Sequence, residues 1–195
     1  AAISKVYEPA SVEKRIYDMW LAEKSFAPKP STTGENFSIV MPPPNVTGNL
    51  HVGHAVFVSI QDALIRYHRM KGDETVWVPG TDHAGISTQV VVEKKVMAEE
   101  GKTRHDYGRE PFVKKIWDFA NAHKSNILGQ MSTLGASCDW DRERFTFDPE
   151  FNNVVNKVFV DLYKKGKIYK GDYIVNWCSR CSTVLSDLEV VPTPE

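Results

Sequence analysis

Two histidines three residues apart, in the string His51-Val-Gly-His54, could bind an anion. They come between a short apolar run, residues 37–41, and a long segment with helical spacing of apolar residues. Residues three apart share one face of a helix, and the backbone N–H groups at a helix start favour phosphate. Imidazole N–H groups can also donate to phosphate oxygens, more strongly as charge builds in a transition state. Gly53 would let a flat base or a ribose approach the helix closely.

The same pair has two other interpretations. The histidines could be metal ligands, but neither an HExxH pattern nor a nearby set of carboxylates supports this. They could also be ordinary surface histidines, because HxGH by itself is a short pattern. The surrounding elements must therefore decide between a phosphate site and a chance pair.

Those elements predict a strand–helix–strand unit. Residues 37–41 read as a strand that three prolines terminate, and residues 50–70 read as a helix that Lys71 and Gly72 end. Residues 74–78 read as a second strand, closed by Pro79 and Gly80. Such a unit forms a parallel sheet, whose ligands sit beyond the carboxyl ends of the strands. The histidine pair falls at that edge.

The rest of the chain predicts further helices and one extended segment. Apolar spacing and turn residues predict helices over 9–26, 86–100, 109–134 and 149–165, and extended structure over 168–177. The expected fold class is α/β, with a Rossmann-like parallel sheet and flanking helices.

Composition excludes several classes of protein. The 195 residues are 42% hydrophobic with a formal net charge of -1, so no bulk electrostatic attraction to nucleic acid is expected. No apolar run has the length of a membrane span, and the first residues lack the apolar core of a secretory signal. Three cysteines indicate a reducing compartment, so we expect a cytoplasmic protein without membrane contact.

Four longer strings place the histidines in a known context. PPPNVTGNLHVGH (42–54) resembles the "HIGH" region of class I aminoacyl-tRNA synthetases, and VPGTDHAGISTQ (78–89) strengthens the likeness. Together with LGASCDWDRERFT (134–146) and the region from VNWCSRC to LSDLEV (175–190), they resemble the valine-specific branch more than the isoleucine-specific one. The resemblance extends from about residue 7 to residue 190. It implies ATP-dependent activation of valine and its transfer to tRNA(Val).

The resemblance assigns roles to the loop before the helix. It implies that His51 and His54 are catalytic and bind the phosphates of ATP, which enters as a complex with Mg²⁺. Gly53 would admit the nucleoside, and Asn45 and Thr47 would line the phosphate or amino acid site.

The amino acid site is expected at Pro42, Pro43, Asn45 and Asp82. The Asp82 carboxylate can bind an ammonium group through a charge-assisted hydrogen bond, although Asp is also a favoured helix N-cap. The two prolines resemble residues that wall the valine side-chain pocket, and they also terminate a strand. His83 is expected to pack or to support the site rather than to act in catalysis.

Cys178 and Cys181 form half of a possible zinc site. Tetrahedral zinc needs four ligands, and a CxxC pair supplies two. The resemblance implies a partner pair much later, beyond an editing insertion. The alternative is two reduced cysteines in a β-turn.

The resemblance also divides the chain. It implies an N-terminal helix and linker at 1–36, a Rossmann-like catalytic half-domain with a helical insertion at 37–166, and the CxxC-containing start of a connection to an editing domain at 167–195. We expect the N-terminal part of a monomeric enzyme. The KMSKS string, an editing domain and an anticodon-binding domain are absent from these 195 residues.

Two functions of other classes remain to be compared with this one. A different nucleotidyltransferase could share the HxGH site, but it would not need the strings at 78–89 and 175–181. A non-catalytic module could keep the fold. Intact His51, Gly53, His54 and Asp82 argue against such decay of the site.

We predict that residues 1–195 alone show little or no aminoacylation, because the resemblance implies that the lysines of a KMSKS loop help to hold the triphosphate. The measurement is charging of tRNA(Val) with radiolabelled valine by the purified chain. Robust formation of valyl-tRNA would contradict the prediction.

Overall fold

The structure is a computed structural model that describes residues 6–30 and 34–191. The chain divides into two compact units, residues 1–152 and 153–195. The first unit contains α1 (Pro9–Ala22), β1 (Asn36–Val40), α2 (Val52–Lys71), β2 (Glu74–Val78), β3 (Gly80–Thr81), α3 (Ile86–Glu100), α4 (Arg104–Tyr107), α5 (Arg109–Thr133) and β4 (Arg144–Phe145). Helix α6 (Pro149–Lys164) begins in the first unit and continues into the second, which also contains β5 (Asn176–Cys178) and β6 (Thr183–Leu185).

The predicted strand–helix–strand unit is confirmed. Strands β1 and β2 pair in parallel, from Asn36 opposite Glu74 to Val40 opposite Val78, and α2 connects them. Gly72 ends α2 in the left-handed conformation with φ 94°, which is the role its position after Lys71 predicted. The carboxyl ends of both strands therefore lie at one edge of the sheet.

The predicted helices over 86–100, 109–134 and 149–165 match α3, α5 and α6 to within one residue at each end. The first helix is shorter than the predicted 9–26 and ends at Ala22. There the chain turns, with Lys24 at φ 51°, and the buried ring of Phe26 packs back on Tyr17 at 5.7 Å between ring centroids. Burial of the Phe26 ring thus ends the helix, although the apolar spacing of the sequence would allow it to continue.

Two other expectations need correction. Of the segment 168–177, only its end forms a strand, β5, which pairs antiparallel with β6 in a hairpin. The short helix α4 was not predicted, because only Thr103 and Asp106 mark its start, with Asp106 accepting hydrogen bonds from the Thr103 backbone and hydroxyl. Of the predicted linker at the end of 1–36, residues 31–33 lie outside the described part. None of the helices in the described ranges combines the length and apolar character that a membrane span requires.

The main core lies between the sheet, α2 and α5. Trp77 of β2 is fully buried, and its indole N–H donates to Gln61 of α2 at 3.1 Å. Ile65 of α2 and Ile127 and Met131 of α5 belong to the same cluster. Full burial of side chains of this size contributes about 1.5–3 kcal/mol each. This core fixes α5 beside the start of α2, where the histidines lie.

The segment after α5 is joined to α2 by polar contacts. Both the N–H and the hydroxyl of Ser137 donate to Oδ1 of Asp62, at 2.8 and 2.6 Å. Arg66 bridges the other Asp62 oxygen, at 2.6 Å, and the Gly135 carbonyl, at 2.7 Å. This network sets the path of residues 135–146, which return to the sheet.

A second polar contact closes the opposite end of the sheet. The buried Asp73 carboxylate lies 2.6 Å from Nδ1 of His68 and accepts from the Glu35 N–H at 3.2 Å. The His68 ring stacks on Phe37 of β1, with centroids 3.6 Å apart. The His68 hydrogen bond is the main cause that lowers the pKa of Asp73 below its ordinary value of 3.8.

We predict that Asp73→Asn lowers the free energy of unfolding at pH 7. A lowered folded-state pKa stabilises the fold fully above the unfolded pKa, and this contribution is lost as the pH falls through the folded pKa. The difference between wild type and Asp73→Asn should therefore shrink below about pH 4. Urea unfolding at several pH values, followed by circular dichroism, measures it.

The control variant is Asp118→Asn. Asp118 pairs with Lys114 at 2.8 Å on α5, but its side chain is 64% exposed, so its loss should change stability little. Equal, small effects of both substitutions at pH 7 would contradict the role of Asp73.

Candidate active site

The loops that follow β1 and β2 are joined by a short backbone ladder. After the three prolines, the Val46 N–H donates to the Asp82 carbonyl at 2.9 Å, and the Asp82 N–H donates to the Pro44 carbonyl at 2.8 Å. These bonds make Asn45 and Asp82 partners in an isolated parallel bridge. Prolines 42–44 lack the N–H that pairing needs, so the ladder is interrupted and then resumes. The two strings that the sequence singled out thus lie side by side.

Strand β4 extends the site beyond β3. Gly80 and Thr81 pair in parallel with Arg144 and Phe145, and the Thr146 N–H donates to the Thr81 carbonyl at 3.1 Å. A Cβ at Gly80 would lie 2.8 Å from the Arg144 carbonyl oxygen, so the close approach of the two strands requires glycine there. This pairing brings Thr146 next to Asp82.

The histidine pair forms the start of α2. His51 is the N-cap, and its Nδ1 accepts from the Gly53 N–H at 3.1 Å. The Nδ1 of His54 accepts from the His51 N–H at 3.2 Å, and the two ring centroids are 4.0 Å apart. Because each Nδ1 accepts a backbone N–H, each neutral ring carries its proton on Nε2. Both histidines can therefore donate an Nε2–H to a ligand.

His54 is held in its neutral form. Burial is the main cause that lowers its pKa below the ordinary 6.5, and the electrostatic effect of the neighbouring His51 ring lowers it further. Near pH 7 the ring therefore acts as a neutral donor. Gly53 also leaves room for the His51 ring, because a Cβ at residue 53 would lie only 2.9 Å from Cε1 of His51.

A groove of about 440 Å³ opens beside these histidines. Its lining includes Pro42, Pro43, Asn45, Thr47, His51 and His54, together with Leu50 and Phe57. The structure thus brings six of the assigned residues to one cavity. Gly53 and Asp82 are not part of this lining, although Asp82 is the bridge partner of Asn45.

Two residues of α5 form hydrogen bonds with the loop that lines the groove. The Gln130 side chain accepts from the Leu50 N–H at 2.9 Å, and the Asn126 amide donates to Asn49 at 2.6 Å. Sequence reasoning missed both, because these contacts span 80 and 77 residues and no local pattern marks them.

Asp82 does not cap the helix that follows it. Helix α3 begins at Ile86 with Gly85 at its N-cap position, so the N-cap interpretation of Asp82 is wrong. Instead, Asp82 Oδ1 accepts from the Ala84 N–H at 3.1 Å, within a turn in which Ala84 and Gly85 have φ of 53° and 49°. The Asp82 side chain is 35% exposed. His83 packs as expected, with its ring against Phe147 at 4.5 Å between centroids.

Cys178 and Cys181 lie at the turn of the β5–β6 hairpin. The Cys181 N–H donates to Sγ of Cys178 at 3.4 Å, and this hydrogen bond is the main cause that lowers the pKa of the Cys178 thiol. Within the described ranges, no group of three or more His, Cys, Asp or Glu side chains could hold a metal ion. Two thiols supply only half of the four ligands of a tetrahedral zinc site, and none of the three cysteines forms a disulfide.

A larger groove, of about 710 Å³, lies elsewhere, between α1 and the end of α5. Its lining is mostly apolar and includes Val12, Ile16, Trp20 and Leu134. Neither histidine of the pair lines it, so its size does not make it the candidate active site.

Comparison with known proteins identifies the family of the chain. Residues 15–194 match the family of class I tRNA synthetases for isoleucine, leucine, methionine and valine. Valine–tRNA ligase of Treponema denticola is 56% identical over 189 residues, 96% of this chain and 21% of that protein. Valine–tRNA ligase of Thermotoga maritima is 53% identical over 190 residues, 97% of this chain and 22% of that protein.

A solved structure shows the same fold. The crystal structure of the ternary complex of Agrobacterium radiobacter K84 agnB2 LeuRS-tRNA-LeuAMS matches with a TM-score of 0.74 and 26% identity, over 95% of this chain and 22% of that one. The chain spans about a fifth of the length of the curated relatives it matches. On the family match and these identities, the chain belongs to the class I aminoacyl-tRNA synthetases.

Proposed function

We propose that this chain supplies the ATP- and valine-binding half of a valine–tRNA ligase. The observation that carries the proposal is the backbone bridge between Asn45 and Asp82. It puts a carboxylate beside the loop that leads into the histidine-capped helix start. In the proposed reaction the valine carboxylate attacks the α-phosphate of ATP in line and pyrophosphate leaves. The valyl group of the adenylate then passes to the terminal adenosine of tRNA(Val), and AMP leaves.

The histidines act as donors in this proposal. His51 and His54 present Nε2–H groups to the phosphates of ATP, and those hydrogen bonds strengthen as negative charge builds during attack. A lowered pKa suits His54 for this task, because the neutral ring keeps its Nε2–H and donates a hydrogen bond through it. Asn45 and Thr47 line the same groove, Gly53 leaves space for the nucleoside, and Mg²⁺ accompanies ATP.

The amino acid end of the site combines charge and shape. The Asp82 carboxylate would bind the ammonium group of valine, and the rigid rings of Pro42 and Pro43 would limit the size of the side chain. One methylene changes binding by only about 1–3 kcal/mol, and threonine is nearly isosteric with valine. The proposed enzyme would therefore admit some threonine, which a separate editing site would have to remove.

Several finer assignments belong to the same proposal. They are the functional division at residues 36 and 166, a cytoplasmic monomer, and a zinc half-site at Cys178 and Cys181 that residues elsewhere would complete. That none of the three cysteines forms a disulfide is consistent with a reducing compartment. The alternative, a nucleotidyltransferase that does not use tRNA, is weaker because the chain is 56% and 53% identical to two valine–tRNA ligases.

A chimeric enzyme tests the function. This chain replaces the matched segment of the Thermotoga maritima relative, and ATP–pyrophosphate exchange is measured with valine, isoleucine and threonine. We expect the fastest exchange with valine, with threonine roughly 100-fold weaker in kcat/KM. Isoleucine should be weaker still, because its extra methylene meets the proline wall. The strongest exchange with isoleucine would overturn the specificity, and no exchange at all, beside an active relative, would overturn the function.

The histidines are tested in the same chimera. We expect His51→Ala and His54→Ala each to lower the rate of exchange by about 100-fold, the usual effect of removing one donor to a developing charge. His105→Ala is the matched control, since His105 is exposed on the short helix α4.

His51→Asn separates catalysis from helix capping. Asparagine is a good N-cap but lacks the imidazole, so this variant should unfold at the wild-type temperature and still exchange slowly. Wild-type exchange rates in both alanine variants would show that the histidines do not bind the reacting phosphates.

A further inference from the structure

The hydroxyl of Thr146 lies between Asp82 and His83. Thr146 Oγ1 is 2.9 Å from Asp82 Oδ1, 3.0 Å from the His83 backbone nitrogen and 2.6 Å from Nδ1 of His83. Thr146 follows β4, whereas Asp82 and His83 follow β3, so the pairing of these strands makes the cluster. The contacts join residues 64 and 63 positions apart, which local sequence patterns do not reveal.

The hydrogen-bonding capacity of a hydroxyl fixes the direction of each bond. A threonine hydroxyl donates one hydrogen bond and accepts two. The His83 N–H can only donate, and the ionised Asp82 carboxylate can only accept. The Thr146 hydroxyl therefore donates its hydrogen bond to Oδ1 of Asp82. The Nδ1–H of His83 must then donate to the Thr146 oxygen. All three bonds of the hydroxyl are then made, and His83 carries a proton on Nδ1.

This arrangement orients the Asp82 carboxylate. Oδ1 accepts from the Thr146 hydroxyl and from the Ala84 N–H at 3.1 Å, which occupies both of its lone pairs. Among the residues that the structure describes, no group donates to Oδ2. The carboxylate is thus held by one oxygen and presents the other.

The support for Thr146 is rigid. The Thr146 N–H is bonded to the Thr81 carbonyl at 3.1 Å, so its backbone belongs to the ladder rather than to a loose loop. The ring of Phe147 packs against His83 and against Trp117 of α5, at centroid distances of 4.5 and 5.5 Å. Such packing restricts the rotamers of the groups around the hydroxyl.

We propose that Thr146 is a positioning residue that, with His83, holds Asp82 Oδ1 and directs Oδ2 at the ammonium group of the amino acid. This inference rests on the proposed function, because it assumes that Asp82 binds that ammonium. Thr146 itself acts only through the Asp82 carboxylate.

The test is an NMR titration of the ¹⁵N-labelled 195-residue chain with two ligands. One is valine, and the other is 3-methylbutanoate, which has the same side chain and carboxylate but no ammonium. The variants are Thr146→Val, which removes the hydroxyl and keeps the shape, and Thr146→Ser, which keeps the hydroxyl. Thr133→Val is the control, because the Thr133 hydroxyl donates to the Gly129 carbonyl of its own helix, at 2.9 Å, and has no other hydrogen bond to a described residue.

We expect Thr146→Val to raise the dissociation constant for valine about tenfold, the usual effect of losing a hydrogen bond to a charged group. The constant for 3-methylbutanoate should not change, and Thr146→Ser should bind valine as wild type does. A merely structural role would weaken both ligands equally.

The outcomes separate the inference from the function. Wild-type chain that prefers valine over 3-methylbutanoate, together with Thr146→Val that binds valine normally, overturns the positioning role alone. An equal loss of both ligands in Thr146→Val overturns it as well. Wild-type chain that binds neither ligand, or shows no preference for the ammonium, refutes the Asp82 site and with it the proposed function.

Discussion

The backbone pairing of Asn45 with Asp82 is the contact on which the geometry of the site depends. Two parallel strands end at the same edge of the sheet, but the prolines after β1 cannot continue the ladder. The ladder resumes after the prolines, where the Val46 N–H donates to the Asp82 carbonyl at 2.9 Å and the Asp82 N–H donates to the Pro44 carbonyl at 2.8 Å. The loop before α2 and the loop before α3 are thereby held together, and the groups that they carry address one region.

The start of α2 shows how one local structure can serve both folding and ligand binding. His51 and His54 satisfy backbone N–H groups that a helix start leaves unpaired, and each uses Nδ1 to do so. The remaining ring nitrogen of each then carries a proton and can donate. The capping geometry that stabilises the helix is the same geometry that sets the tautomers, so the site is pre-organised before any ligand arrives. The α5 contacts of Asn49 and Leu50 hold the preceding loop in place.

Much of the fold was predictable because its signals are local. Apolar spacing, Gly72 and the strand-terminating prolines predicted β1, α2, β2, α3 and α5 nearly to the residue. The expectations that failed depended on distant partners. Helix α1 stops early because Phe26 folds back on Tyr17. Asp82 does not cap α3, and its carboxylate instead accepts hydrogen bonds from the Ala84 N–H and the Thr146 hydroxyl.

The sequence by itself determined the family, the two strands and the helix between them, and the set of polar residues at the strand ends. These follow from contiguous strings and from periodicity, which a chain carries without its fold. Only the tertiary structure decided which oxygen of Asp82 is held, which nitrogen of each histidine is open, and that Gln130 and Thr146 support the site. Those facts depend on hydrogen bonds between residues far apart in the chain, whose partners are chosen by strand pairing and by the packing of α5.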